Sequence, residues 1–339
     1  MTVVTFGELM MRLSAPGHER FVQAAHFNVA PGGAEANVAV CAASLGAKAR
    51  FVSKLPTNEL GQWALNGLRA YGVDTAGIAR GGPRIGIYYL EKGASQRPSK
   101  VVYDRAGSSF ATATAADFNW STLLEGADAF HFSGITPALS ADLPAIVETA
   151  LIEARRRGIL TSCDLNYRRK LWTREQAGKV MSRLMPLVDL CIANEEDASD
   201  VFGIHTGSSD VDKGQLNAED YRRTAEELQR RFGFSKVAIT LRESLSADDN
   251  NWSGLLLDGA DLHLSKRYRM HIVDRVGGGD SFSGGLIYAL LDGQPPGRAI
   301  DFAVACSCLK HSIEGDFNPV SLEEVNSLLD GEASGRVQR

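Results

Sequence analysis

Val273-Asp274-Arg275-Val276-Gly277-Gly278-Gly279-Asp280-Ser281-Phe282 sets three consecutive glycines and a carboxylate just ahead of an apolar repeat. Phe282, Leu286, Ile287, Leu290 and Leu291 recur at spacings of three and four, which predicts a helix from Ser281 to Leu291 with Asp280 in its first turn. Glycines let a backbone approach a ligand closely, and the free N–H groups of a first helical turn favour negative charge. Phosphate fits such a turn. Gly277, Gly278 and Gly279 then form an anion hole. Asp280 becomes a base that takes the proton of a hydroxyl as its oxygen attacks a terminal phosphate. The competing reading is a glycine-rich turn in which Asp280 merely caps the helix.

Outward from this turn, short β-branched runs alternate with helical stretches. Strands are expected at Val3–Leu9, Ala49–Lys54, Ala129–Phe132, Ile159–Cys163, Val188–Ala193 and Lys236–Thr240. Helices are expected at Ala34–Ser44, Glu59–Tyr71, Leu143–Arg157 and Tyr221–Phe232. Repeated strand–helix units of this length imply an α/β fold: a doubly wound, mostly parallel sheet flanked by helices, with ligands at the carboxyl ends of the strands. Met10–Pro16, Phe27–Pro31, Gly86–Leu90 and Val101–Arg105 break the rhythm, reading as strands with no helices between them. They predict a small antiparallel β-sheet lid, from about residues 10–31 and 84–106, on one α/β domain spanning 1–339. A lid suits phosphoryl transfer, because closure excludes water and orients the acceptor.

With 44% hydrophobic and 23% charged residues and a net charge of −5, the 339-residue chain has the profile of a globular enzyme. Its basic clusters, Arg155-Arg156-Arg157 and Arg230-Arg231, sit at expected helix ends, so nucleic acid is not an expected partner. The first residues run directly into an expected strand, and no window approaches the roughly 18 apolar residues of a membrane span. A cytoplasmic location without membrane contact is therefore expected. Cys41, Cys163, Cys191, Cys306 and Cys308 stand in apolar surroundings and read as buried free thiols. The seven histidines form no zinc-ligand spacing, so any metal is expected to arrive with a nucleotide.

Polar residues gather where the expected core strands end. Asp164 opens the run Asp164-Leu165-Asn166-Tyr167-Arg168-Arg169-Lys170-Leu171-Trp172 and either supports catalysis or contacts magnesium-bound water, or else caps the following turn. Asn194-Glu195-Glu196-Asp197 either orders magnesium-bound waters or starts a helix with acidic first-turn residues. Leu241-Arg242-Glu243-Ser244 follows the strand ending at Thr240, and Arg242 either reaches a phosphate or pairs with Glu243. Arg105 and Arg168 carry guanidinium forks matched to a carboxylate or phosphate, which points to an anionic substrate; the alternative is salt bridging to Asp104 and Asp164. Tyr89 and Tyr103, on lid strands, either offer hydroxyls to the acceptor or pack the lid.

Gly32-Gly33-Ala34-Glu35-Ala36-Asn37-Val38-Ala39, followed in order by Asp274–Phe282, resembles the two signatures of the ribokinase-like (PfkB) carbohydrate kinases, over about residues 3 to 320. With Asp164–Trp172 and Gly315-Asp316-Phe317, the chain is similar to the 2-keto-3-deoxygluconate kinase branch. The resemblance implies a doubly wound core with a β lid, ATP and Mg2+ as cofactors, and transfer of the γ-phosphate to the 6-hydroxyl of a keto-deoxy sugar acid. It implies Asp280 as base and Gly277–Gly279 as anion hole. It places Gly33, Tyr89, Tyr103, Arg105, Ile135, Arg168 and Asp316 around the sugar acid. It places Asn194, Arg242, Gly277 and Gly279 at the nucleotide, and Asn194, Glu196 and Asp197 towards the metal through water. The chain departs from the family at Arg275, where threonine is usual, at Gly278, where alanine is usual, and at Leu241–Ser246, where a glycine-containing turn is usual. Asp197 also ends the Asn194 motif one methylene short, leaving open whether it or Glu196 addresses the metal waters. A neutral sugar acceptor such as fructose, a non-catalytic sugar-sensing module, and a homodimer or higher homo-oligomer through the lid are the other expectations to weigh.

Overall fold

Apolar runs buried on both faces, such as the Ala129–Ser133 strand, become the centre of a large sheet. The computed structural model describes residues 1–194, 196–204 and 218–331. Its strands are β1 (Thr2–Phe6), β2 (Met10–Ser14), β3 (Asn28–Gly32), β4 (Lys48–Leu55), β5 (Ile78–Arg80), β6 (Gly86–Glu91) and β7 (Lys100–Asp104). They continue as β8 (Ala129–Ser133), β9 (Leu160–Asp164), β10 (Leu190–Ala193), β11 (Lys236–Ser244), β12 (Asp249–Asp258), β13 (Asp261–Leu264) and β14 (Tyr268–His271). The helices are α1 (Ala34–Ser44), α2 (Glu59–Arg69), α3 (Trp120–Leu123), α4 (Leu143–Arg156), α5 (Arg174–Leu184), α6 (Asp197–Phe202), α7 (Ala218–Phe232), α8 (Gly278–Leu291), α9 (Pro296–Lys310) and α10 (Leu322–Leu329).

The main sheet has the order β13-β12-β11-β10-β9-β8-β1-β4-β5, with β14 also paired to β12. From β11 through β5 the pairings are parallel, and β12, β13 and β14 add an antiparallel edge. One apolar cluster joins this sheet to α1, α2, α8, α9 and α10; another joins its opposite face to α4, α5, α6 and α7. Helices thus cover both faces, and the strand ends open at one edge. No helix among the described residues is long and apolar enough to cross a membrane. α8 packs between α1 and α9, and its glycines permit the approach: a Cβ on Gly284 would stand 2.9 Å from the Cys41 Cβ, and one on Gly285 3.0 Å from the Cys306 Cβ.

The second sheet, in the order β3-β2-β6-β7, is the lid. It is mixed, not antiparallel as expected: β2 runs parallel to β6, with Met10 opposite Gly86, while the outer pairs are antiparallel. The reason lies in the core. The chain leaves for the lid after β1 and again after β5, and those strands point the same way, so β2 and β6 enter side by side. The first strand accordingly ends at Phe6, and Gly7-Glu8-Leu9 carries the chain across. A second difference is at Leu241–Ser244, expected to follow a strand that ends at Thr240. Without glycine or proline, this segment continues β11 and pairs along its length with β12, Ser244 facing Asn250. α8 begins at Gly278, ahead of Ser281, because Gly277 in the left-handed region (φ 84°) accepts the Ser281 N–H at 2.9 Å.

Candidate active site

The head of α8 shows why its three glycines differ in role. A Cβ on Gly277 would collide with the Asp316 carbonyl, and one on Gly278 with the His311 ring. The alanine usual at the second position is therefore excluded by His311, whose neighbour Ser307 also donates to the Gly278 carbonyl at 2.7 Å. Gly279 faces open space. The first-turn amides of Gly279 and Asp280 have no backbone carbonyl partner among the described residues, leaving donors directed at the cleft.

Asp280 is held from the side. Asn37 Nδ2 donates to its Oδ2 at 2.6 Å, and Asn37 Oδ1 accepts the Gly33 N–H at 3.3 Å. A Cβ on Gly33 would collide with the Glu8 carbonyl, so the Gly32-Gly33 turn lets α1 start against the β1–β2 crossing. Burial pushes the Asp280 carboxyl up to about 7, against the pull of Asn37 and Arg168, with Asp316 and Glu35 adding to the rise. Glu35 lies on α1 with Asn37, its Oε1 accepting from Ser133 N (2.9 Å), Ser133 Oγ (2.6 Å) and Thr136 Oγ1 (2.8 Å), and burial raises its pKa too. Burial, Asp197 and Asp280 raise the Asp164 carboxyl well above the usual range.

These groups line a cleft of about 490 Å³ between lid and core. The lid side contributes Tyr88, Tyr103 and Arg105; the core contributes Ile135, Asn194, Thr240, Arg242, Trp252 and Arg275. Gly33, Arg168, Gly277, Gly279, Asp280 and Asp316 line the same cleft, whereas Gly278 is turned inward. Arg168 is exposed and uses Nη1 on the Tyr167 carbonyl at 3.3 Å. Arg105 is committed differently. It is buried, and its Nε (2.7 Å) and Nη2 both donate to Glu8 Oε2, while Ser108 takes Glu8 Oε1. Its guanidinium also lies over the Tyr103 ring, 5.6 Å from the centroid.

Tyr89 does not reach the cleft. Side chains alternate along β6, so Tyr88 points inward while Tyr89 packs edge-on against Phe27 at 5.9 Å on the other lid face. The Tyr88 hydroxyl lies 2.6 Å from each Asp316 carboxylate oxygen, and Arg12 Nη1 donates to Asp316 at 2.7 Å. The Asp316 carboxylate is thus engaged within the protein. Arg12, Tyr88 and Glu8 were not singled out from the sequence, since a buried arginine on an alternating lid strand looks like any surface arginine. Glu35 and Asn37 had a signal, as members of the Gly32–Ala39 motif.

The Asn194 segment is a reciprocal cap. Asn194 Oδ1 accepts the N–H groups of Glu196 (2.8 Å) and Asp197 (3.0 Å), and the Asp197 carboxylate accepts those of Asn194 (3.1 Å) and Tyr167 (3.0 Å). Asp197 is buried, Glu196 is exposed away from the cleft lining, and only Asn194 of the three lines it. Glu195 lies outside the described residues. No group of three His, Cys, Asp or Glu side chains among the described residues could by itself hold a metal ion.

The family model described as pfkB family carbohydrate kinase matches residues 1–321. A 2-dehydro-3-deoxygalactonokinase of Haloferax volcanii is 35% identical, over 98% of this chain and 98% of that protein. The crystal structure of 2-dehydro-3-deoxygluconokinase from Thermotoga maritima is 54% identical, with 98% of each chain covered and a TM-score of 0.93. An Escherichia coli structure in complex with ATP and Mg2+, at 19% identity over 97% of this chain and 99% of that one, shares the fold with a TM-score of 0.81. The glycine turn, the lid and the matched length agree: this chain belongs to the pfkB family of carbohydrate kinases.

Proposed function

We propose that the protein transfers the γ-phosphate of ATP to the 6-hydroxyl of 2-keto-3-deoxy-D-gluconate, giving the 6-phosphate and ADP. The observation that carries this reading is Asp280, held by Asn37 beside the open Gly279 amide, in the same cleft as the exposed Arg168 guanidinium. Bound ATP with its magnesium supplies the transferable phosphoryl group. The residues fit that pair. The α8 amides suit a phosphate, and the crowded carboxyls of Asp164, Asp280 and Glu35 suit a nearby cation. With no group of three ligands for a bare ion among the described residues, these side chains and Asn194 would address magnesium through its waters.

Arg168 offers its charge to the acceptor's carboxylate from the exposed loop after β9, and the outer edge of Arg105 does so from the lid. Tyr88 and Tyr103 close the lid side and exclude water. Asp280 receives the proton of the 6-hydroxyl as the oxygen bonds to phosphorus, and the amides of the turn stabilise the charge on the group in flight. The test is incubation of the purified enzyme with ATP, magnesium and either 2-keto-3-deoxygluconate or its galactonate epimer, with the product assigned by phosphorus NMR. A phosphomonoester on C6 of the gluconate acid, formed with ADP, is expected. No ADP with either acid overturns the reading; preference for the galactonate epimer overturns the substrate assignment alone.

A further inference from the structure

One buried cation has no part in the chemistry above. Lys310, the last residue of α9, is fully buried, and its Nζ donates to two backbone carbonyls, Asp274 at 3.2 Å and Ile313 at 3.1 Å. Its Cε stands 3.3 Å from where a Cβ on Gly277 would lie, so the ammonium sits directly behind the turn that opens α8. Burial pulls the Lys310 ammonium below its usual pKa, and the nearby Asp274 and Asp316 carboxylates pull it partly back up. The neighbouring carboxylates are already engaged elsewhere. Arg12, itself buried, binds Asp274 through Nη2 and Asp316 through Nη1, and Asp274 also holds the N–H groups of Val276 (3.1 Å) and Gly315 (3.2 Å). Both ends of the Asp274 residue are thereby clamped, its side chain by the lid arginine and its carbonyl by the α9 lysine.

We propose that Lys310 is a positioning residue for phosphoryl transfer, fixing the start of the glycine turn through the Asp274 carbonyl and setting its ammonium behind the anion hole. Negative charge grows on the transferring group in front of that turn, and a fixed charge in a water-poor interior acts on it with little screening. The site needs no reorganisation to deliver this effect, because the ammonium is already locked by two carbonyls. The inference rests on the kinase reading.

The test compares Lys310→Gln, which keeps a donor but not the charge, and Lys310→Met, which keeps neither, with the wild-type enzyme. Thermal unfolding, ADP affinity by calorimetry and steady-state kinetics are measured on each. Folded variants are expected to lose about 10-fold or more in kcat, Met more than Gln, while ADP affinity and the KM for the sugar acid change by less than about 3-fold. A merely structural lysine would not produce that split. A folded Lys310→Gln enzyme with kcat within about twofold of wild type overturns the proposal. So does failure of both variants to unfold cooperatively, since the lysine would then serve folding. Wild-type enzyme that does not turn over at all overturns the kinase reading instead.

Discussion

Asp280 carries an electrostatic conflict that its neighbours only partly relieve. Burial lifts its carboxyl to about 7, so in the free enzyme the base form is gained as pH rises through that value. kcat/KM is expected to rise with pH to a plateau above about 7, and Asp280→Asn is expected to lower kcat about 10²- to 10⁴-fold while ATP and sugar acid still bind. Near-normal kcat in that variant would remove Asp280 from the role of base. The same shift has a stability consequence. Because the folded-state pKa lies above the ordinary 3.8, the proton is held more tightly in the folded protein, so the contribution is fully present below about pH 4 and lost as pH rises through about 7. Above pH 7 the ionised carboxylate therefore weakens the fold. Replacement by the neutral asparagine is expected to raise Tm by roughly 3 °C at pH 8 and by less at pH 5, read by calorimetry without ligand. An equal change at both pH values would show that charge is not the cause. At this scale the sequence was informative where a residue type has few uses: glycine at a left-handed position and a carboxylate at a helix start. It was silent on Asn37 as the group that holds Asp280, because that contact joins positions 243 residues apart.

Among the elements, the lid shows what periodicity can and cannot reveal. Four strands without intervening helices were legible, because their short apolar runs lack the three-and-four spacing of a helix. Their pairing was not, since strand direction in the lid is inherited from where the core releases the chain. Period-two alternation made one inward tyrosine certain in Tyr88-Tyr89, yet the phase depends on packing against Asp316 and Phe27, which sequence does not supply. Arg105 and Arg168 looked equivalent for the same reason. In the fold they differ: Arg105 is buried against Glu8, whereas Arg168 is exposed. Arg105→Ala should leave the Glu8 carboxylate buried without its partner and cost about 3–5 kcal/mol of stability as well as activity. Arg168→Ala should change stability by less than about 0.5 kcal/mol while raising the KM for the sugar acid. Denaturant melts beside steady-state kinetics separate the two, and equal stability losses would contradict the assignment of Glu8 as the partner that distinguishes them.

Across the whole molecule, a buried charge cluster ties lid to core. Arg12 from β2 and Tyr88 from β6 meet Asp316 and Asp274, which flank the α8 turn, and Lys310 closes the set from α9. The lid and the glycine turn of α8 are therefore one connected unit, which suits a reaction that requires water to be excluded. The doubly wound core was legible from strand–helix alternation, while the antiparallel edge of β12–β14 was not, because the short runs Asp261–Leu264 and Tyr268–His271 carry too few apolar residues to stand out as strands. The central claim is that this cleft accepts a sugar acid and uses Asp280 to phosphorylate it. Its most direct test is kcat/KM for 2-keto-3-deoxygluconate against fructose and ribose, at saturating ATP and magnesium. A neutral sugar brings no carboxylate for Arg168, so the acid is expected to be favoured by at least about 100-fold, with most of that preference lost in Arg168→Ala. Equal kcat/KM for acid and neutral sugars would contradict it.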